Sequence, residues 1–161
     1  MGAYNYRHRR GFSLIELVIV VVILGLISAM AIPRMTRGAG NAGRATLKGD
    51  LAVLRGAIEL YRAEHEGGFP SATTIASQLT SFTKIDGTDP QTTADVAAGR
   101  VYGPYMSKIP PLPVGAKKGK TGIDTADGAT VGWIYTAASG TIAANCAGTE
   151  LDQDGVAYNT Y

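Results

Sequence analysis

The stretch Arg9-Arg10-Gly11-Phe12-Ser13-Leu14-Ile15-Glu16-Leu17-Val18-Ile19-Val20-Val21-Val22-Ile23-Leu24 decides how the chain begins. Two arginines and a glycine lead into an apolar run over 12–32 whose one charge is Glu16. As an α-helix at 1.5 Å per residue the run is about 31 Å long, enough to cross the hydrocarbon core of a bilayer. A charge at the centre of such a helix costs roughly 2.5–3.5 kcal/mol on insertion scales, so Glu16 requires a partner. One is local: Ser13-Leu14-Ile15-Glu16 fits the S-x-x-E capping box, in which the glutamate reaches back to the backbone amide of the capping serine.

Bulk composition allows one modest domain beyond this run. The chain has 161 residues, 45% hydrophobic and 17% charged, with a net charge of +2. Without Arg7, Arg9 and Arg10 the fifteen basic side chains become twelve, against thirteen acidic ones. A near-neutral remainder lacks the basic stripe of a nucleic-acid binder, so no nucleic acid is predicted as a partner. Cys146 is the one cysteine, which excludes an intrachain disulfide and suggests a buried small apolar residue. Arginines precede the apolar run, yet Arg34, Arg37 and Arg44 follow it, so charge sets the orientation only weakly.

Three readings of the N-terminus compete. A secretory signal ending at Ala29-Met30-Ala31 would release a soluble binding protein from Ile32, but the run is longer than the usual core of ~7–15 residues and contains Glu16. Twin-arginine export would use Arg9-Arg10, and the length of the run again counts against it. The third takes Gly11-Phe12-Ser13-Leu14-Ile15-Glu16-Leu17 as one unit, and here the sequence resembles the type IV prepilins and type II secretion pseudopilins. The resemblance implies that a prepilin peptidase cuts between Gly11 and Phe12, that Phe12 is then methylated, and that 1–11 is a basic leader. It also implies that Glu16 of an incoming subunit pairs with the Phe12 amine of a neighbour. Pro33 falls where the family often has a helix-kinking proline.

The apolar helix is expected over 12–37. Pro33 removes an intrahelical donor and predicts a kink or break nearby. Gly38, Gly40 and Gly43 each cost about 1 kcal/mol relative to alanine inside a helix, so this segment is expected to be the weak point, fraying or extending in a filament, or else a plain linker. Beyond it, Leu47, Leu51, Leu54, Ile58 and Tyr61 mark one face of an amphipathic helix over 44–66, with Gly67-Gly68 as a left-handed cap and Pro70 forbidding continuation. His65 near its end is assigned no chemistry.

The region 67–129 reads as loop, with a short helix around 75–79 and a rigid proline-bearing segment from Tyr102 to Pro113. The latter also resembles the loop that precedes the sheet of major pseudopilins. Strand patterns come late: Thr130-Val131-Gly132-Trp133-Ile134-Tyr135 and Thr141-Ile142-Ala143-Ala144-Asn145 read as a hairpin, with a third strand from Gly155 to Tyr158. The expected fold is α+β. A long N-terminal helix, half transmembrane and half amphipathic, packs on a small antiparallel sheet over 130–161, and 44–161 forms the soluble domain.

No enzyme is expected. Gly115-Ala116-Lys117-Lys118-Gly119-Lys120-Thr121 is one residue short of a phosphate-binding loop and reads as a solvated turn, and neither H-E-x-x-H nor G-x-S-x-G occurs. No cofactor is required. Calcium is a candidate ligand, through Asp152 and Asp154 ahead of Gly155, with Asp124 and Asp127 as further oxygen donors. Aspartate–glycine pairs also form turns without metal, and turn chemistry is the default. Major pseudopilins have a calcium-binding loop in this general region.

The resemblance implies a subunit of a helical filament, a pseudopilin of a type II secretion system, assembled from the inner membrane to drive protein export. Its partners would be further copies of itself, minor pilins or pseudopilins, the prepilin peptidase, and an assembly platform with a cytoplasmic ATPase. A single-pass precursor in the inner membrane would become a periplasmic or cell-surface filament. A major or minor type IV pilus subunit, serving adhesion, motility or DNA uptake, is the alternative.

Overall fold

The structure, a computed structural model, describes residues 12–161, except for the side chains of 30–39. Two compact units divide at residue 39, Met1–Ala39 and Gly40–Tyr161. The element order is α1 (Leu14–Glu64), α2 (Ile75–Thr80), β1 (Gly122–Asp124), β2 (Val131–Thr136), β3 (Thr141–Ala144) and a 3-10 turn, Tyr158–Thr160.

Helix α1 is assigned without interruption over 51 residues, through Pro33 and all the glycines. The two halves expected over 12–37 and 44–66 are therefore one backbone element, as the expected long helix requires, and no break falls at Pro33. Its C-terminus comes two residues earlier than the periodicity indicates. The Gly67 amide donates to the Arg62 carbonyl at 2.9 Å, the six-residue closure of a Schellman motif, which puts Glu66 in the left-handed position at φ 55°, followed by Gly67 at φ 84°.

In the second unit α1 buries Leu47, Leu51, Leu54, Ala57, Ile58 and Tyr61, the face that the sequence spacing marks. They form one core with Trp133 and Tyr135 of β2, Ile142 and Ala144 of β3, Ile75 and Leu79 of α2, and Leu112. Both large aromatics have their polar atoms satisfied. The Trp133 indole N–H donates to the Pro110 carbonyl at 2.8 Å, and the Tyr135 hydroxyl donates to the Pro70 carbonyl at 3.0 Å. The proline-bearing segment thus forms a wall of the core while contributing no strand. Burial of the Tyr135 phenol pushes its pKa up to about 12.

The sheet is mixed, which corrects the expected antiparallel one. Strands β2 and β3 pair antiparallel as a hairpin, Tyr135 opposite Ile142, whereas β1 joins the other edge of β2 in parallel, with a register shift between Gly122 and Ile123. Parallel neighbours normally need a connection of a dozen residues or more. Here β1 is three residues long, so the short segment between it and β2 has enough reach to return. The third strand expected from Gly155 to Tyr158 is instead one isolated bridge, Leu151 to Ala157, followed by the 3-10 turn. The reason is local: the Asp152 carboxylate accepts the amides of Asp154 and Val156, donors that a strand would offer to a ladder.

Gly132 is what lets the segment before β1 approach β2. A Cβ there would lie 2.2 Å from the Lys120 carbonyl oxygen, a backbone atom with no side-chain freedom. Gly132→Ala is therefore expected to lower unfolding free energy by about 2–4 kcal/mol in chemical denaturation, whereas Glu66→Gly raises it by roughly 0.5–1 kcal/mol by relieving the left-handed position.

Candidate assembly site at the N-terminus

The site is built from the first turn of α1. Helix assignment begins at Leu14, which makes Ser13 the capping residue; its carbonyl accepts the Leu17 amide at 3.2 Å. The Glu16 carboxylate accepts the Ser13 backbone amide at 3.3 Å, the glutamate arm of the capping box. Glu16 therefore has a local partner in the isolated chain, and that partner is an exposed backbone donor on its own helix. Phe12, one residue outside the helix, is 81% exposed. Gly11, on the leaving side of the expected cut, lies outside the described residues.

Behind this turn the helix is apolar on every side. From Leu17 to Ile27 its large apolar side chains are 46–66% exposed with no inward face, unlike the one-sided stripe of the second unit. Removing each such side chain from water is worth roughly 1.5–3 kcal/mol, so this surface is suited to a bilayer or to other helices. Among the described residues no helix is long and apolar enough to cross a membrane. The described side chains stop at residue 29, whereas the apolar run in the sequence continues to residue 32.

The residues singled out for kinking or melting fall in different settings. The side chains of Pro33 and Gly38 lie outside the described residues. Gly40 and Gly43 are helical and closely approached: a Cβ on Gly40 would lie 2.2 Å from the amide nitrogen of Gln153, and one on Gly43 would lie 3.1 Å from Val114. In this chain both glycines admit loop residues to the helix surface, a role in addition to any softness they give the backbone.

The four candidate calcium ligands have different partners. Asp124 accepts the backbone amide of Thr125 at 2.6 Å. Asp127 pairs with Lys117 at 2.9 Å and accepts the Asn145 amide at 2.8 Å, bonds that hold its carboxyl below the usual range, Asn145 contributing most. Asp152 and Asp154 instead meet Arg44 of α1. The Asp152 side chain is only 2% exposed, and its carboxyl is held well below the usual range by the Tyr161 hydroxyl first, then by the Val156 amide, Arg44 and the Asp154 amide. Among the described residues no group of three or more His, Cys, Asp or Glu side chains is placed to hold a metal ion.

Arg44 and Tyr161 are the residues that sequence reasoning missed. A signal existed for Arg44: it stands three residues before Leu47, on the face that becomes buried, where a cation calls for a carboxylate. His65 is buried, with Nδ1 2.8 Å from the Tyr61 carbonyl and Nε2 3.0 Å from the Thr83 hydroxyl, so it ties α1 to the loop after α2. The lysine-rich segment is a turn, as expected, with Lys117 anchored to the Gly128 carbonyl at 2.9 Å.

Residues 6–32 match the family described as the prokaryotic N-terminal methylation motif. Curated relatives narrow the resemblance. The chain is 32% identical over 59 residues to the type II secretion system core protein G of Klebsiella pneumoniae, covering 37% of this chain and 42% of that protein. It is 34% identical over 59 residues to the core protein G of Pseudomonas aeruginosa, with the same coverage. It is also 36% identical over 58 residues to the type IV narrow pilus major component PilA5 of Thermus thermophilus, covering 36% of this chain and 50% of that one. The chain thus spans about two fifths to one half of the length of these relatives. No solved structure matches it.

Two measurements check the local chemistry. Cys146 is buried and its thiol is pushed up to about 11, by burial first and then by Glu150, so the native protein is expected to resist iodoacetamide at neutral pH and to react once unfolded. Asp152 and Asp127 have folded-state values below the ordinary value of about 3.9, so their contribution is complete above it and is lost as pH falls through their folded values. Stability measured by denaturant titration should fall from roughly pH 5 downward, and Asp152→Asn should make that slope shallower.

Proposed function

We propose that this chain is a filament-forming structural subunit, a pseudopilin of a type II secretion system. The observation that carries the reading is the first turn of α1: a glycine–phenylalanine junction with a methylation motif, then Glu16, then a helix exposing apolar side chains on all sides. Leader removal after Gly11 leaves Phe12 as a new, positively charged terminus. The apolar helix stays on the mature protein as its means of assembly, and the α+β unit faces outward.

Glu16 supplies the selectivity in this mechanism. In the single chain its carboxylate holds the Ser13 amide, a neutral donor. In the filament it transfers to the Phe12 amine of a neighbouring copy, an opposite full charge inside an apolar bundle. An ion pair there offsets part of the cost of burying either partner, and a subunit docked out of register leaves both charges unpaired. The chain's work is mechanical. Subunits enter from the inner membrane by way of an assembly platform and a cytoplasmic ATPase, and the growing periplasmic filament moves cargo outward. Minor pseudopilins and the prepilin peptidase are its other partners. A type IV pilus subunit is the second reading, favoured by the similarity to PilA5 over the same N-terminal region.

Coexpression with a prepilin peptidase should yield a mature protein that begins at methylated Phe12, read by mass spectrometry and terminal sequencing. A start at Ile32 would refute the proposal. Glu16→Ala should leave processing intact and reduce filament yield at least tenfold, and undiminished yield would remove the pairing role.

A further inference from the structure

The cluster at the end of the second unit has a feature that the proposed function does not use. The Arg44 Nη1 atom bridges two carboxylates: it lies 3.1 Å from Asp152 Oδ2 and also bonds Asp154 Oδ2. The Tyr161 hydroxyl donates to the same Asp152 oxygen. The other Asp152 oxygen is engaged by the amides of Asp154 and Val156 at 2.8 and 2.9 Å, and Gly155, at φ 81°, closes the turn around it. Two further cations of α1 hold the same segment. Lys48 lies over the Tyr161 ring at 4.8 Å, and Arg55 donates to the Tyr161 carbonyl at 2.8 Å.

We infer that Arg44 stands where a divalent cation would sit between Asp152 and Asp154, so that the segment 150–161 is fixed to α1 by a cation of the chain's own and the domain folds without metal. Calcium takes six to eight oxygens at about 2.3–2.6 Å, and with Arg44 in place the donor set does not meet that demand. Asp124 and Asp127 are engaged elsewhere, by Thr125 and by Lys117 with Asn145. Asp152 has both oxygens committed, one to backbone amides and one to Arg44 and Tyr161. A guanidinium is permanently charged and planar, and it suits two neighbouring carboxylates better than a lysine would. Position 44 delivers it because it lies on the same helical face as Leu47 and Leu51, which bury against the sheet. Gly40, one turn earlier, keeps the helix surface free of a Cβ where Gln153 approaches. The inference is independent of whether the filament serves secretion or a pilus.

Thermal unfolding of the full chain in detergent micelles, in millimolar calcium chloride and in EGTA, tests it. The unaltered protein should give the same midpoint in both, and a midpoint raised by several degrees in calcium would overturn the inference. Arg44→Met should lower the midpoint in EGTA by roughly 5 °C or more and recover part of that loss in calcium. An unchanged midpoint, or a loss that calcium leaves untouched, would show that Arg44 does not hold the cation's place. Asp154→Asn guards against a variant that fails to fold. It keeps the Arg44–Asp152 pair, so it should lower the midpoint less than Arg44→Met does and stay insensitive to calcium; calcium sensitivity there would also overturn the inference.

Discussion

The second unit depends on the burial of Trp133 and Tyr135 against the stripe of Leu47, Leu51, Leu54, Ile58 and Tyr61. A three-stranded sheet with strands of three, six and four residues has little cohesion of its own. It persists because one helix supplies a continuous apolar face and because proline carbonyls at 70 and 110 accept the hydroxyl and indole donors that the aromatics bring into the core. The proline-bearing segment cannot enter the sheet, and its free carbonyls make it a suitable lining for buried aromatics.

The same helix carries a second kind of surface in the first unit. There the apolar residues do not alternate with polar ones, so no folded partner within the described chain covers them. A one-sided stripe specifies a core within one chain, whereas an all-round apolar surface specifies an environment, lipid or the helices of other copies. Glu16 is the one charge in that surface, and its local bond to Ser13 is weak enough, through an exposed neutral amide, to be exchanged for a stronger one.

Much of this was legible in the sequence because it rests on period and punctuation. The stripe on α1, the hairpin with its turn at Gly140, the short helix near residue 75 and the cap at Ser13 are local patterns, and the structure contains each. What was not legible depends on partners distant in the chain. Strand β1 has three residues and no alternation, and its place follows from Gly132 admitting the Lys120 backbone. Glu66 takes the left-handed position beside two glycines, since the register of the helix end is set by where Tyr61 and His65 are buried. Three of the aspartates read as a candidate metal set meet counter-ions that no local pattern announces, Asp127 the Lys117 ammonium, and Asp152 and Asp154 the distant Arg44 guanidinium.

The tie between Arg44 and Asp152 spans 108 positions, and that between Arg55 and Tyr161 spans 106. Closing so long a loop has an entropic cost that grows only slowly with length, but it cannot begin until both ends are present. Residues near position 44 leave the ribosome well before residue 161, so the second unit acquires its final bonds only after nearly all of it has been delivered to one compartment. Until then the segment 150–161 is unfastened, and its ties to α1 are among the last bonds the unit can make.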